Sequence, residues 1–171
     1  MKQRGNSQNR VIFDTNIYGF LADESLIAQI EPRIIDNGAL IVYGCSVIRK
    51  ELRDAPRDAR LALLELYDHI TKSRDLAVSS EAQVLAQEYY AEAKRENQHI
   101  RAYAEICKDF LIVAVASLNN LDIVFSDDSK TMKADSCIKA YQLVNLRHNL
   151  RPPNFLSYSI LKQSFAGRRE S

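Results

Sequence analysis

The chain has 171 residues, 46% hydrophobic and 26% charged, with a formal net charge of +1. That length supports one domain with a real core, and no apolar run nears the length needed to cross a bilayer. Cys45, Cys107 and Cys137 are dispersed and odd in number, which excludes a disulfide framework and a cysteine-based zinc site and fits small core residues in a reducing, cytoplasmic setting.

The first residues, 1–9, read as a flexible arm. They are polar and basic and lack the apolar segment of a signal peptide. Val11 to Phe13 is a buried strand, too short to alternate. A helix begins near Asn16, with Asp14 or Thr15 available to cap its free amides. A second short helix is expected over Leu26 to Ile35, and Leu40 to Tyr43 is the second strand. Ser46 is expected to cap a helix carrying Val47, Ile48, Glu51 and Leu52. Pro56 suits the first position of the next helix, whose Leu61, Leu63, Leu64, Leu66 and Tyr67 form a broad apolar stripe.

Leu76 to Val78 reads as a third short strand. Ser80 and Gln83 resemble a capping box opening a helix with Leu85, Tyr89 and Ala93 at four-residue spacing. A helix over Ala102 to Leu118 leads through Asn119-Asn120 to the strand Ile123 to Phe125. A helix near Cys137 to Asn145 follows, Pro152-Pro153 stops it, and Phe155-Leu156 forms a last edge strand. Strands alternating with helices imply a three-layer α/β/α domain over residues 10–162 with a central, mostly parallel sheet. Residues 163–171 are expected to be a polar tail.

Four acids stand at junctions of this pattern: Asp14, Glu51, Asp109 and Asp128, with Asp127 beside the last. Asp14 follows its strand directly and Asp128 follows another after two residues, so both can reach the C-terminal edge of the sheet, where open α/β folds bind ligands. Glu51 lies about one and a half turns into its helix. Asp109 immediately precedes the almost uncharged run Phe110 to Ala116, where burial of a carboxylate needs compensation. Each acid alone has an ordinary explanation as a cap, a surface ion pair or a turn residue. Together they form an all-oxygen set suited to Mg2+ or Mn2+, whereas His69, His99 and His148 are too scattered for zinc. Thr15, Asn16 and Ser126 are placed to orient the carboxylates or a phosphate. Arg49, Lys50 and Arg151 are candidate backbone contacts, and Tyr18 and Tyr43 are weak candidates for base stacking. The basic residues cluster near the two ends of the chain, including Arg147, Lys162, Arg168 and Arg169.

This arrangement resembles the PIN domain family. Asp14-Thr15-Asn16 looks like its opening motif, Glu51 like the acid in the helix after strand two, and Asp109 to Ala116 like its Asp-x-x-Ile/Leu-x-x-x-Ala segment. Asp128 matches the fourth acidic position, with Asp127 able to substitute or assist. The resemblance spans roughly Arg10 to Leu161, and the order and spacing of the four acids are more specific than any one motif. It implies a metal-dependent ribonuclease, often the VapC-type toxin of a toxin–antitoxin pair, working as a homodimer blocked by a small antitoxin protein.

The expected function is hydrolysis of RNA, preferably single-stranded or looped, by metal-activated water. Asp14, Asp109 and Asp128 would ligate one ion, directly or through water, with Glu51 helping there or at a second ion; Asp14, Asp109 and either Asp127 or Asp128 are expected close enough to share a cation. The stripe at residues 61–66, together with Val84, Leu85, Tyr89 and Tyr90, is expected to form a dimer contact or antitoxin groove. Rival functions are a structure-specific DNA nuclease, an acid-centred phosphatase and a non-catalytic metal- or nucleic-acid-binding module. Asn16, two residues beyond Asp14, weakens the phosphatase, which would use an aspartate there.

Overall fold

The computed structural model describes residues 8–25, 27–36 and 38–166. Five short strands, β1 (Asn9–Phe13), β2 (Leu40–Cys45), β3 (Asp75–Leu76), β4 (Ile123–Phe125) and β5 (Asn154–Leu156), form one sheet in the order β3-β2-β1-β4-β5. Every pairing is parallel: Val11 faces both Val42 and Ile123, and Phe13 faces Phe125. The middle position of β1 explains its composition. Val11, Ile12 and Phe13 are covered on both sheet faces and fully buried, as a central parallel strand requires.

Helices α1 (Thr15–Asp23), α2 (Ile27–Ile35), α3 (Ser46–Arg53) and α4 (Arg57–Thr71) pack with one another. Helices α5 (Ser80–Glu96), α6 (Tyr103–Leu118) and α7 (Asp135–Arg147) form a second group, giving the three-layer architecture; α8 (Tyr158–Ala166) touches α2. No described helix is long and apolar enough to cross a membrane. The second group is joined by a buried polar knot. Tyr89 donates to Asn145 Oδ1 at 2.5 Å and its oxygen lies 3.1 Å from Ser117 Oγ, which can donate to it, while Asn145 Nδ2 donates to Ser117 Oγ at 2.9 Å. Burying these groups is tolerable because they satisfy each other.

Several boundaries differ from the sequence expectation, for reasons set by amide geometry. Ser46 is the first residue of α3 and exposed, not its cap; Cys45 precedes it and offers no side-chain cap. The cap of α5 is Ser79, whose hydroxyl accepts from the Ala82 amide at 3.1 Å, so Ser80 and Gln83 form no capping box. Pro56 sits at the cap position of α4, one residue before the helix. Asn9 belongs to β1, its amide donating to the Ala39 carbonyl, so the expected arm is at least one residue too long; residues 1–7 of that arm lie outside the described residues. The expected polar tail from 163 is also displaced, because α8 continues to Ala166 and buries Phe165. Leu26, Arg168 and Arg169 lie outside the described residues.

The expected apolar contact surface does not form as one patch. Leu63, Leu66 and Tyr67 point into the core beside α1 to α3, whereas Leu85 and Tyr89 point into the core beside α6 and α7. What remains outside lies on separate helices: Leu61 is 67% exposed and Leu64 half-buried on α4, while on α5 Tyr90 is half-buried and Val84, 55% exposed, borders a hollow with Leu85, Leu118 and Leu150. The wide stripe on α4 reflects a helix contacting three helices and a strand, which needs more apolar surface than a helix on one neighbour. Cys45 and Cys137 are buried and Cys107 is half-buried; all three are free thiols.

Candidate functional site

Parallel strands all end on one edge, so residues that follow them converge there. The backbone at Asp14 leaves β1 in an extended conformation, and its amide donates to the Phe125 carbonyl at 2.9 Å. The Asp14 carboxylate then caps α1, accepting from the Thr15 amide at 2.7 Å. Its other oxygen accepts from Ser126 Oγ at 2.8 Å and from Asn16 Nδ2 at 3.2 Å. The side chain is only 5% exposed. Burial, with Glu51 and Asp128 nearby, pushes its carboxyl up to about 6 against the hydrogen bonds that hold it down.

Glu51 reaches in from the second turn of α3 and accepts a hydrogen bond from the Thr15 hydroxyl. Lys108 Nζ stands 3.7 Å from its other oxygen. From α6, Asp109 accepts from Thr131 Oγ1 at 2.6 Å. Burial, then the charges of Asp14, Asp128 and Glu51, raise its carboxyl to about 7. The Thr131 hydroxyl also contacts Asp128 Oδ2. A hydroxyl has one proton to give, so both contacts are satisfied together only when one of the two carboxyls carries a proton. Burial also acts to raise Asp128, but hydrogen bonds from Thr131 and from the Lys130 amide outweigh it and leave this carboxyl below its usual value.

The loop after β4 separates its two aspartates. The Asp128 amide donates to Ser126 Oγ at 3.0 Å, and its carboxylate turns towards Thr131 and Asp109. Asp127 turns the other way, its Oδ1 accepting from the Tyr158 amide at 2.8 Å at the start of α8. Asp128, not Asp127, therefore joins the other three acids. Lys133 Nζ donates to the Ser126 carbonyl at 2.9 Å and steadies the same loop.

Four acids thus gather at one sheet edge, linked by Thr15, Ser126 and Thr131. They do not close on a common point. Among the described residues no three acids, histidines or cysteines are placed to hold a metal ion together, contrary to the tight cluster expected. The Thr131 hydroxyl lies between the carboxylates of Asp109 and Asp128, while Ser126 ties Asp14 to the Asp128 amide and Thr15 ties Asp14 to Glu51. In kind, the donors still fit a hard divalent cation: all are oxygens, and burial leaves two of them strained towards protonation without a cation. His69 and His148 are engaged elsewhere, with Glu31 and Glu88 at 2.6 Å.

Three solved structures share this architecture. Against a chain of FitAB bound to an IR36 DNA fragment, the sequence is 12% identical with a TM-score of 0.55, over 86% of this chain and 94% of that one. Against DNA-bound VapBC from Salmonella typhimurium the values are 12% and 0.53, over 88% and 99%. Against FitAcB from Neisseria gonorrhoeae they are 19% and 0.52, over 75% and 93%. The chain has a PIN-like fold. No protein-family profile and no curated protein sequence matches it.

Within this PIN-like frame, several expected contacts lie elsewhere. Arg151 donates to Asn120 Oδ1 at 3.1 Å and to Asp122 Oδ1 at 2.8 Å. Asp122 precedes β4 whereas Asp128 follows it, so Arg151 sits at the opposite sheet edge, about 10 Å away by strand rise. Arg49 pairs with Asp68 on α4 and covers Tyr67, its Cζ 5.7 Å from the ring centroid. Lys50 is exposed beside it on the outer side of α3. Tyr18 is fully buried against Phe13 and Tyr67 and cannot stack on a base. Tyr43 is occupied by Arg10 and Arg74, at 5.0 and 6.0 Å. Residues the sequence did not single out are Thr131, Lys108 and Lys133. Only Thr131 left a signal, the spacing Asp128-x-x-Thr131, in which a carboxylate can accept from amides two and three residues on.

Proposed function

We propose that this PIN-like protein is a divalent-metal-dependent ribonuclease. The observation that carries this is the meeting of Asp14, Glu51, Asp109 and Asp128 at the C-terminal edge of the central strands, with no arginine among the described residues paired to any of them. Asp14, Asp109 and Asp128, with Glu51 assisting, would hold Mg2+ or Mn2+. Such an ion lowers the pKa of water and neutralises charge on a phosphodiester in hydrolysis.

The chain's own residues supply orientation. Ser126 and the Thr15 amide hold the Asp14 carboxylate from both sides, and its cap position on α1 fixes it at the end of β1. Thr131 sits between Asp109 and Asp128 and can pass its one hydrogen bond to either as their protonation changes. Lys108, beside Glu51, is placed to offset phosphate charge at the rim. Three unpaired thiols suit a reducing compartment, so the reading is of a cytoplasmic enzyme. The neighbours in fold are VapBC and FitAB assemblies, which supports a toxin role with a small antitoxin protein as partner and a homodimer as the working state.

The decisive experiment is cleavage of matched single- and double-stranded RNA and DNA with Mg2+ or Mn2+, with Asp14→Asn as control. Metal-dependent cleavage of single-stranded RNA, lost in the control and on chelation, is expected. Faster cleavage of duplex DNA would favour a DNA nuclease, and binding without turnover would favour a non-catalytic module.

A further inference from the structure

One large aromatic side chain on the helix that Asp14 caps, Phe20, is left partly exposed. Asn16 and Phe20 are one turn apart on α1 and share a face, with side chains about 6 Å apart. Asn16 touches the site directly, donating to Asp14 Oδ2 at 3.2 Å and accepting from the Asp127 amide at 3.4 Å. Phe20, the next residue along that face, is 41% exposed although Phe13 and Tyr18 nearby are fully buried.

The ring is nevertheless held. Phe20 stacks on Tyr158, with centroids 5.2 Å apart and planes 30° apart. Tyr158 is fixed at both ends: its amide donates to Asp127 Oδ1 at 2.8 Å, and its hydroxyl donates to Glu24 Oε1 at 2.7 Å. Lys162 Nζ, 2.8 Å from the same Glu24 oxygen, places a cation next to the pair. Gly19, the residue before Phe20, lies within the unbroken helix α1, and a Cβ built there would meet nothing within 4 Å. Mere packing of α1 on α8 would cover the ring; here it stays partly exposed, is oriented by Tyr158, and is connected through Asp127 and Asn16 to the acids.

We propose that Phe20, braced by Tyr158, is a stacking platform for the nucleobase adjoining the scissile phosphate, which makes single-stranded RNA the substrate. This rests on the nuclease reading above. Every base presents a flat π-face, so the platform tolerates sequence, but it needs a base free of a duplex stack. Loss of one base–aromatic stack commonly weakens binding by a factor of about ten or more.

The chain contains no tryptophan, so Phe20→Trp introduces one reporter at this position. In an Asp14→Asn background, unlabelled single-stranded RNA is expected to quench that tryptophan's emission, and duplex RNA to quench it far less. Phe20→Ala is expected to raise KM for cleavage about tenfold with kcat nearly unchanged, Phe20→Trp to restore it, and the melting temperature to stay within a degree or two. Equal KM in Phe20→Ala, or no quenching by RNA that the protein demonstrably cleaves, overturns the platform and leaves the nuclease standing. A protein that quenches on binding RNA yet cleaves nothing with Mg2+ or Mn2+ loses the nuclease reading and keeps the platform.

Discussion

The two ends of β4 each carry an aspartate network, and they are built on opposite principles. Before the strand, Asp122 accepts from the Arg10 amide at 2.7 Å and from the Arg151 guanidinium at 2.8 Å. These contacts hold its carboxyl below the usual range. After the strand, Asp128 joins Asp14, Glu51 and Asp109, where among the described residues the one cationic side chain within ion-pair distance is Lys108, on Glu51. Charge that merely fastens a strand is neutralised at once. Charge left crowded and short of cations costs stability, and a fold keeps it where something else is to bind.

The sharpest way to break that contrast is Asp14→Asn. Cleavage is expected to fall by on the order of 10³, as when one electrostatic contributor to a transition state is removed. The metal-free protein is expected to melt a few degrees higher at pH 7, because one buried charge is gone. Calorimetry alongside a cleavage assay reads both; a fall in stability would mean that Asp14 is a structural cap only.

The pH dependence should differ in sign between the two ends. Asp14 and Asp109 have folded values of about 6 and about 7 against an ordinary 3.8, so between pH 4 and 7 the native state holds more protons than the unfolded chain. Stability of the metal-free protein is therefore expected to fall as pH rises through that window, by about 3 kcal/mol from Asp14 alone. Asp122, held low, contributes the reverse: stability present above the ordinary carboxylate value and lost as pH falls through its lowered one. Saturating Mg2+ should flatten the loss towards pH 7, and urea titrations across the range will show whether it does.

Asp122→Ala serves as the structural counterpart. It is expected to cost about 2 kcal/mol, since it strips a charged partner from the Arg10 amide and the Arg151 guanidinium, while activity per folded molecule stays level. The smallest effect is reserved for Thr131→Val. Removing the hydroxyl that Asp109 and Asp128 share is expected to lower cleavage about tenfold, as for an outer contact that orients ligands, with secondary structure unchanged by circular dichroism. A Thr131 variant with full activity would show that the bridging hydroxyl is incidental.

The sheet was legible from the sequence because its central strands are short runs of bulky apolar residues between polar ones. Val11 to Phe13 and Ile123 to Phe125 could hardly be anything else in an alternating pattern. The helix starts at Ser46 and Ser80 were misplaced by one residue, since which residue caps a helix depends on where its backbone turns, not on side-chain type alone. The four acids were legible as strand and helix junctions; the choice of Asp128 over Asp127 was not, because it depends on which way a tight loop directs two adjacent carboxylates. Arg151 was misassigned for a related reason. Charge near a strand's sequence says nothing about which end of the sheet it serves; the pairing of Arg151 with Asp122, which also accepts from the Arg10 amide, decides it. Phe20 went unnoticed because an aromatic on an amphipathic helix ordinarily faces the core, as Tyr18 does.

The strand order also sets a timetable. β1 occupies the middle of the sheet but is made first, and its second neighbour, β4, starts at Ile123. At ordinary rates of synthesis roughly 5–20 s pass between them. During that interval β1 can pair with β2 but must wait with its other edge bare, and three fully apolar residues, Val11 to Phe13, line that edge. A nascent chain halted before β4 should therefore be held by chaperones or aggregate, whereas one extended past β5 should fold without help.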